Sequence, residues 1–292
     1  MKFSFSIYTL LASHVKAITE VAQVGEEAGF HALYTPDHLI APIEVPHTYP
    51  YSPTGEPPLQ ADTPLYDAWA LLSYIAGVTS RIRLGTSVFI LPLRDPIATA
   101  RSVMTVDVLS KGRAVFGIGV GWLAPEFEIA GRDFRNRGPI TDETVAVLRE
   151  LWTKKVIDFK GEHMAYGPVN FEPKVAQPGG VPIIVGGVSE PALRRAARLG
   201  DGWMGMAGTD FALMKKRIAR LHELRREYGR ENEPFTIAVS SGQHDLDTVH
   251  RFAEAGVDQM NIAPQPLREK STPEKFKDGL KRLGEEIVAK SP

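Results

Sequence analysis

The chain has 292 residues and a formal net charge of -1, so no global basic field points to nucleic acid or to an anionic membrane surface. It contains no cysteine, which excludes disulfides, thiolate nucleophiles and cysteine-bound zinc or iron–sulfur centres. No apolar stretch is long enough to span a bilayer, and the first residues alternate in hydropathy like a strand rather than a signal peptide. We therefore expect a cytoplasmic protein.

Short β-type runs alternate with amphipathic helical patterns along the whole chain. The alternation, with no Gly- or Ser-rich boundary, predicts one domain over residues 1–292 of the α/β class, a (β/α)8 TIM barrel with insertion loops at its C-terminal face. A doubly wound sheet stays open as the alternative, because it requires a reversal of strand order that a sequence does not reveal. The predicted strands are 3–8, 30–35, 82–91, 114–120, 181–185, 203–206, 235–240 and 259–263, and the predicted helices are 15–28, 66–78, 97–109, 125–131, 141–152, 189–199, 211–228, 246–255 and one from 272 onward.

Two segments interrupt this alternation. Residues 40–64 are rich in proline and include Tyr49 and Tyr51. A loop of this length inside a compact domain usually has a function, and we interpret it as a partial lid over a site. Residues 154–180 mix glycine, proline and short β-type runs, which indicates an excursion from the main scaffold.

The predicted strand 114–120 has an unusual glycine pattern. Gly117, Gly119 and Gly121 occupy every second position, and strand side chains alternate between faces. The three glycines are therefore expected to leave one face bare. Such a face admits a flat ligand, or it allows tight packing inside a small barrel, and the glycines alone favour neither interpretation.

The ends of the predicted strands carry mostly small, neutral residues, a lining that suits a large planar ligand better than a metal ion. The eight histidines form no HxH or HExxH pair, which argues against a metal site. Ser87 and Ser189 are not in a G-x-S-x-G elbow. The run from Gly119 to Ala124 matches the dinucleotide fingerprint, but Pro125 interrupts it and no acidic strand end follows, so we reject that interpretation.

A phosphate-binding turn is predicted where Gly186 and Gly187 follow a strand and Ser189 begins a helix. Two glycines at a strand end expose backbone N–H groups, and the positive end of a helix dipole favours an anion. The alternative is an ordinary β-to-α turn with a good helix cap.

His38 is the strand-end side chain suited to exchange a proton near neutral pH. Asp37 precedes it and would be ionised near neutral pH unless buried. If the strand continues through both residues, their side chains point in opposite directions. Either of the two could then face the site.

Several blocks of the sequence carry a resemblance to a known family. GTSVFILPLRDP, LSKGR, FGIGVGW and IIVGGVSEPALRRAARLGDGW resemble the luciferase-like monooxygenase superfamily, and more narrowly its actinobacterial branch of coenzyme F420-dependent oxidoreductases. The resemblance extends from residue 3 to about residue 264, with the blocks in the family's order.

This resemblance implies a cofactor across the top of the barrel, coenzyme F420 or alternatively FMN. It implies a cis peptide bond between Ser87 and Val88 behind the cofactor ring, and a phosphate held after the fifth strand. A sugar-phosphate dehydrogenase of this group has a glutamate where this chain has Trp122, so we expect a different substrate here. The cofactor-binding residues are predicted to be Asp37, His38, Ser87, Val88, Gly119, Gly121, Trp122, Gly186, Gly187, Val188, Ser189 and Met206.

The predicted function is hydride transfer between coenzyme F420 and an organic substrate, with His38 as the catalytic proton donor or acceptor. A reduced-FMN monooxygenase and a non-catalytic cofactor-binding relative are the alternatives. The expected partners are a small-molecule substrate, a second copy of the chain and a separate reductase. Neither nucleic acid nor a membrane is expected.

Overall fold

The computed structural model describes residues 1–11, 14–46, 48–52, 54–57, 59–205, 210–242, 245–264 and 272–291. Eleven strands lie within these ranges. They are β1 (Lys2–Ser6), β2 (Ala32–Thr35), β3 (Arg83–Thr86), β4 (Phe89–Ile90), β5 (Ala114–Gly119), β6 (Ile157–Lys160), β7 (Ala165–Val169), β8 (Ile183–Gly186), β9 (Gly202–Gly205), β10 (Thr236–Ser241) and β11 (Gln259–Ile262).

Ten α-helices lie within the same ranges, with 3₁₀ turns at Val15–Ala17 and Leu91–Leu93 and a π-helical turn at Gly284–Val288. The α-helices are α1 (Tyr8–Leu11), α2 (Ile18–Glu27), α3 (Ala68–Val78), α4 (Pro96–Leu109), α5 (Ala124–Ile129), α6 (Arg137–Thr153), α7 (Glu190–Leu199), α8 (Phe211–Glu227), α9 (Leu246–Glu254) and α10 (Pro273–Leu283). Not one described helix is both long enough and apolar enough to cross a bilayer.

Eight of the strands form a closed parallel barrel, which confirms the predicted (β/α)8 architecture. Their order is β3-β2-β1-β11-β10-β9-β8-β5. The barrel closes where Leu84 and Gly85 of β3 pair with Ala114 and Val115 of β5. The short strand β4 continues beside the upper part of β5, with Phe89 opposite Ile118.

The barrel has an apolar outer layer and a partly polar interior. Phe3 and Phe5 of β1 belong to the large buried cluster that also contains residues of the surrounding helices. The interior cluster includes Tyr34 and Met204. Inside it the Gln259 amide donates to the Tyr34 hydroxyl at 3.0 Å. Alternation of side chains along each strand produces these two layers.

Helix α6 begins earlier than the sequence indicates. The expected cap at Thr141 is wrong, because the helix starts at Arg137 and Asn136 occupies the cap position. The Thr141 hydroxyl donates to the Arg137 carbonyl at 2.7 Å, inside the helix. Pro139 lies in the first turn, where a missing N–H costs no helical hydrogen bond.

The excursion predicted for residues 154–180 contains an antiparallel hairpin formed by β6 and β7. The Glu143 carboxylate of α6 accepts hydrogen bonds from the amides of Glu162, His163 and Met164, at 2.8–3.1 Å. One side chain of the barrel's helical layer thus holds the hairpin turn in place.

Candidate functional site at the barrel mouth

Asp37, just beyond the end of β2, is buried and connects this loop to two other elements. One carboxylate oxygen accepts the Ile90 amide at 3.0 Å and the other accepts Arg94 Nη2 at 2.7 Å. Burial raises the pKa of Asp37 to about 6, although the Arg94 charge and the Ile90 amide act in the opposite direction. The sequence suggested an ionised aspartate unless it were buried, and it is buried.

The next residue, His38, is paired with a carboxylate that the sequence did not single out. His38 Nδ1 lies 2.8 Å from Glu126 Oε2. The Glu126 side chain on α5 has no solvent exposure, and that of His38 is 15% exposed. The other Glu126 oxygen accepts the amides of Leu39 at 2.6 Å and Ile40 at 3.4 Å. Glu126 therefore holds both the imidazole and the backbone that follows it.

This pairing selects one tautomer of His38. A carboxylate is an acceptor, so the neutral imidazole donates its Nδ1–H to Glu126 and keeps a lone pair at Nε2. The His38 and Trp122 rings meet edge-to-face, with ring centroids 6.3 Å apart and an interplanar angle of 88°. Of the two orientations left open by the sequence, the structure has Asp37 facing Arg94 and His38 facing Trp122.

Two tyrosines from the proline-rich segment continue this row of rings. Tyr49 meets Trp122 edge-to-face at 5.2 Å, and Tyr51 meets Tyr49 at 5.3 Å. A Cβ added at Gly187 would lie 3.5 Å from the Tyr51 hydroxyl. We call Trp122, Tyr49 and Tyr51 the aromatic wall. It extends from His38, after β2, to the turn after β8.

The glycines of β5 admit neighbouring protein atoms. A Cβ at Gly117 would collide with the Thr86 carbonyl, and a Cβ at Gly119 would lie 2.6 Å from Val88. Tight packing is thus the alternative found at these two positions, and cofactor contact by Gly119 stays a prediction. Gly121 was expected on the same strand face, which is wrong. β5 ends at Gly119, and Gly121 has a φ of +81°.

The peptide bond between Ser87 and Val88 is cis, as the family resemblance implied. The Val88 side chain lies against both β5 and β8, because a Cβ at Gly186 would also lie 2.6 Å from it. The structure thus brings Val88, Gly119 and Gly186 together at the mouth.

The turn between β8 and α7 is less open than the sequence suggested. The Gly187 amide donates to the Met204 carbonyl at 3.4 Å, and the Gly187 carbonyl accepts the Trp203 indole N–H at 2.7 Å. Gly187 has a φ of +118°, which favours glycine. Ser189 occupies the cap position of α7, but its side chain makes no cap hydrogen bond. Its hydroxyl is consequently not committed to the helix.

Of the remaining predicted residues, Met206 lies outside the described residues. Within the described ranges, no group of three or more His, Asp and Glu side chains could hold a metal ion. Glu126 and Arg94 are the residues at this site that sequence reasoning missed. Glu126 is 88 positions from His38 in the chain, and the pattern Ala124-Pro125-Glu126 indicates only the first turn of a helix.

Comparison with known proteins identifies relatives over most of the chain. Residues 1–265 match the luciferase-like monooxygenase family. An uncharacterised protein of Mycobacterium tuberculosis is 31% identical over 289 residues, which cover 95% of this chain and 99% of that protein. The F420-dependent glucose-6-phosphate dehydrogenase of Amycolatopsis mediterranei is 27% identical over 205 residues, covering 69% of this chain and 56% of the enzyme.

Solved structures share the fold at lower sequence identity. An F420-dependent secondary alcohol dehydrogenase in complex with an F420–acetone adduct superposes with a TM-score of 0.78 at 17% identity, covering 99% of this chain and 98% of the other. The monooxygenase RslO1 from Streptomyces bottropensis superposes with a TM-score of 0.77 at 19% identity, covering 99% of both chains. At these identities the likeness shows the fold alone.

Proposed function

Because the chain belongs to the luciferase-like monooxygenase family, we propose that it is a deazaflavin-dependent oxidoreductase, moving a hydride between coenzyme F420 and an organic substrate. The observation that carries this proposal is the His38–Glu126 pair at the barrel mouth, at 2.8 Å. The sequence relative that uses F420 supports the choice of cofactor. A buried carboxylate that orients a partly exposed imidazole favours this catalytic role over the non-catalytic alternative.

The donor set at the mouth fits a large planar cofactor with an anionic tail. Val88 and the edges of β5 and β8 offer an apolar floor, and Gly187 at φ +118° keeps the following turn free of a side chain. The amides of Val188 and Ser189 have no hydrogen-bond partner within the described ranges. Together with the Ser189 hydroxyl and the start of α7, they would hold the tail phosphate.

The chain's own residues would supply the proton and the water-poor setting. F420, when bound, supplies the hydride chemistry. His38 Nε2 accepts a proton from a substrate hydroxyl, or as the imidazolium donates one to a substrate carbonyl oxygen. Glu126 keeps Nδ1 as a donor in both states, and its charge stabilises the imidazolium. The aromatic wall excludes water from the side of His38 that faces Trp122.

The test of this proposal is a fluorescence titration of the purified protein with F420 and, separately, with reduced FMN under anaerobic conditions. We expect F420 to bind in the micromolar range or tighter and reduced FMN to bind at least about tenfold more weakly, a difference of about 1.4 kcal/mol. Tight binding of reduced FMN with oxygen consumption would replace this proposal with a two-component monooxygenase.

Ser189→Ala tests the phosphate site within the same titration. Since the Ser189 hydroxyl makes no cap bond, its removal leaves α7 intact, and any loss of F420 affinity reports on the ligand. We expect a severalfold loss, with no change for Ser102→Ala, which removes an exposed serine on α4. Equal F420 affinity in both variants would exclude Ser189 from the phosphate site.

A further inference from the structure

The row of rings at the barrel mouth has a composition that selects among substrates. Edge-to-face contacts join each ring to the next. The centroid distances are 6.3 Å from His38 to Trp122, 5.2 Å from Trp122 to Tyr49 and 5.3 Å from Tyr49 to Tyr51. Aromatic faces and edges of this kind favour other flat, polarisable groups, through burial and quadrupole contacts. The Trp122 ring, 6.3 Å from the His38 imidazole, is therefore placed to hold such a group beside it.

The segment that carries the two tyrosines is folded against this site. The Tyr49 amide donates to the Gly55 carbonyl at 2.8 Å, and the Ser52 amide donates to the Tyr49 carbonyl at 3.3 Å. Leu59, further along the same segment, is fully buried. Tyr49 and Tyr51 are thus held by a turn and an apolar anchor.

The phenols of this wall are neutral at physiological pH. Burial raises the pKa of Tyr49 above its ordinary value, and the neighbouring Tyr51 and Tyr8 raise it further. Burial also raises the pKa of Tyr51, although Arg217 acts in the opposite direction. The wall therefore presents apolar ring surface and neutral hydroxyl groups to a ligand.

The charges beside His38 disfavour an anionic substrate. Asp37 and Glu126 are both carboxylates, and Arg94 is bound to Asp37 at 2.7 Å. Arg137 donates from Nε and Nη1 to the carbonyls of Gly121 and Phe134, so these two donors are used by the backbone. Arg217 lies near Tyr51, at the end of the wall remote from His38. A phosphate placed against Trp122 would lose its hydration next to these carboxylates, an unfavourable transfer.

We propose that the substrate of the reaction is a neutral, flat carbonyl compound, such as an aryl or conjugated ketone or aldehyde, or the corresponding alcohol, bound against the aromatic wall. This inference rests on the proposed function. In the reducing direction, the carbonyl carbon gains a hydride from the reduced deazaflavin and the C=O π bond breaks. The electron pair of that bond stays on the oxygen, which takes the proton of the His38 imidazolium. The reduced deazaflavin would be the two-electron reductant of this step. The oxidising direction reverses each transfer.

The test is calorimetric binding of acetophenone, trans-cinnamaldehyde and glucose 6-phosphate to the purified protein, with F420 titrated in parallel. We expect measurable binding of the two carbonyl compounds and none of glucose 6-phosphate. Trp122→Ala should lower the affinity for the two carbonyl compounds by about tenfold, the order expected for removing an aromatic contact and its buried area. Trp122→Phe should lower this affinity by less than about threefold, because it keeps an aromatic ring.

Two further variants make the result interpretable. Tyr49→Leu tests the aromatic wall without altering Trp122, and it should also lower the affinity for the carbonyl compounds. Tyr74→Ala is the matched control, since Tyr74 is an exposed aromatic residue on α3, outside the barrel. It should change no affinity.

Three results would overturn the substrate class. They are no binding of either carbonyl compound, equal affinity in wild type and Trp122→Ala, and tighter binding of glucose 6-phosphate than of acetophenone. Normal F420 binding alongside any of these leaves the proposed function standing. Failure of the wild-type protein to bind F420 overturns the proposed function instead, and the substrate inference falls with it.

Discussion

Strand β2 has a histidine beyond each end, and the two are in opposite electrostatic environments. His31 precedes β2 at the amino end of the barrel, where burial and the charges of Lys2 and Arg83 lower its pKa to about 4. His38 follows β2 at the mouth and lies 2.8 Å from a buried carboxylate. His31 is therefore neutral at pH 7 and has no described carboxylate bound to its imidazole.

The difference shows that residue type and strand do not decide the role of a histidine. The partner comes from another element: Lys2 and Arg83 for His31, and Glu126 of α5 for His38. The amino end of a (β/α)8 barrel serves stability, whereas the loops at the carboxyl ends of the strands carry chemistry. Both histidines follow this division.

Replacement of each histidine by asparagine tests whether the two have different roles. His38→Asn keeps a polar side chain but cannot exchange a proton near neutral pH, so turnover should fall by about 10²–10⁴-fold. His31→Asn should leave turnover within about twofold at pH 7, because a residue at the amino end is far from the mouth. Steady-state kinetics on an identified substrate measures both. Near-native turnover in His38→Asn would make His38 a positioning residue, with the proton coming from water.

Glu126→Gln separates the orientation of His38 from its presence. The glutamine oxygen can still accept the Leu39 amide, but its NH₂ group donates to Nδ1 and forces the Nε2–H tautomer. We expect kcat to fall by about 10²–10³-fold, because an imidazole with Nε2–H has no lone pair to accept a proton there, and the wrong tautomer is severely damaging in Ser-His-Asp triads.

The tautomer itself is the second readout for this variant. The ¹⁵N chemical shifts of His38 should report Nδ1–H in the wild type and Nε2–H in Glu126→Gln. F420 affinity should change far less than kcat. Unaltered turnover with an altered tautomer would remove Glu126 from the proposed mechanism.

The buried carboxylate of Asp37 should make stability depend on pH in the direction opposite to an ordinary ion pair. Its pKa rises from 3.8 to about 6 in the folded protein, so the folded state binds a proton more tightly than the unfolded state. The stabilisation of the folded state that comes from this tighter proton binding is fully present below pH 4 and is lost as pH rises through 6. Between pH 4 and pH 7, the free energy of unfolding of the wild type should fall by about 2–3 kcal/mol relative to that of Asp37→Asn. Urea unfolding at the two pH values measures this difference. A difference that is constant with pH would contradict the raised pKa.

His31 should give the smallest effect and the opposite sign. Its pKa falls from 6.5 to about 4 on folding, so the unfolded state takes the proton first. The stability is present above pH 6.5 and is lost as pH falls toward 4. Because this side chain is partly exposed, solvent weakens the effect. From pH 7 to pH 4.5, we expect the free energy of unfolding of the wild type to fall by only about 1 kcal/mol relative to that of His31→Asn. If His31→Asn followed the wild-type curve, the positive surroundings of His31 would have no effect on folding.

The order of strands and helices could be predicted from the sequence because hydrophobic periodicity is a local signal. The start of α6 could not, because Thr141 is a good capping residue and the true first turn at Arg137 contains glycine and proline. His38 was found from its place at a strand end. Its partner Glu126 was missed because their contact joins positions 88 residues apart, and such a contact exists only once the barrel has closed.

The glycines of β5 show the same limit. Their spacing predicted a face bare of side chains but did not decide between a flat ligand and tight packing. The atoms that fill this face at Gly117 and Gly119 belong to Thr86 and Val88. Which atoms approach a missing side chain depends on the neighbouring strand. The two tyrosines of the aromatic wall were anticipated only as part of a lid, and Trp122 only as a cofactor-binding residue, since nothing local relates Tyr49 to Trp122.

The pairing of β1 with β11 has a consequence for the synthesis of this protein. Lys2 of β1 lies opposite Gln259 of β11, so one edge of β1 stays unpaired until most of the chain has left the ribosome. At about 5–20 residues per second, that interval is on the order of ten seconds or more. During it, Phe3 and Phe5 belong to an incomplete sheet with an open edge, which attracts other strands. We expect nascent chains stalled before residue 259 to bind holdase chaperones that full-length chains have released.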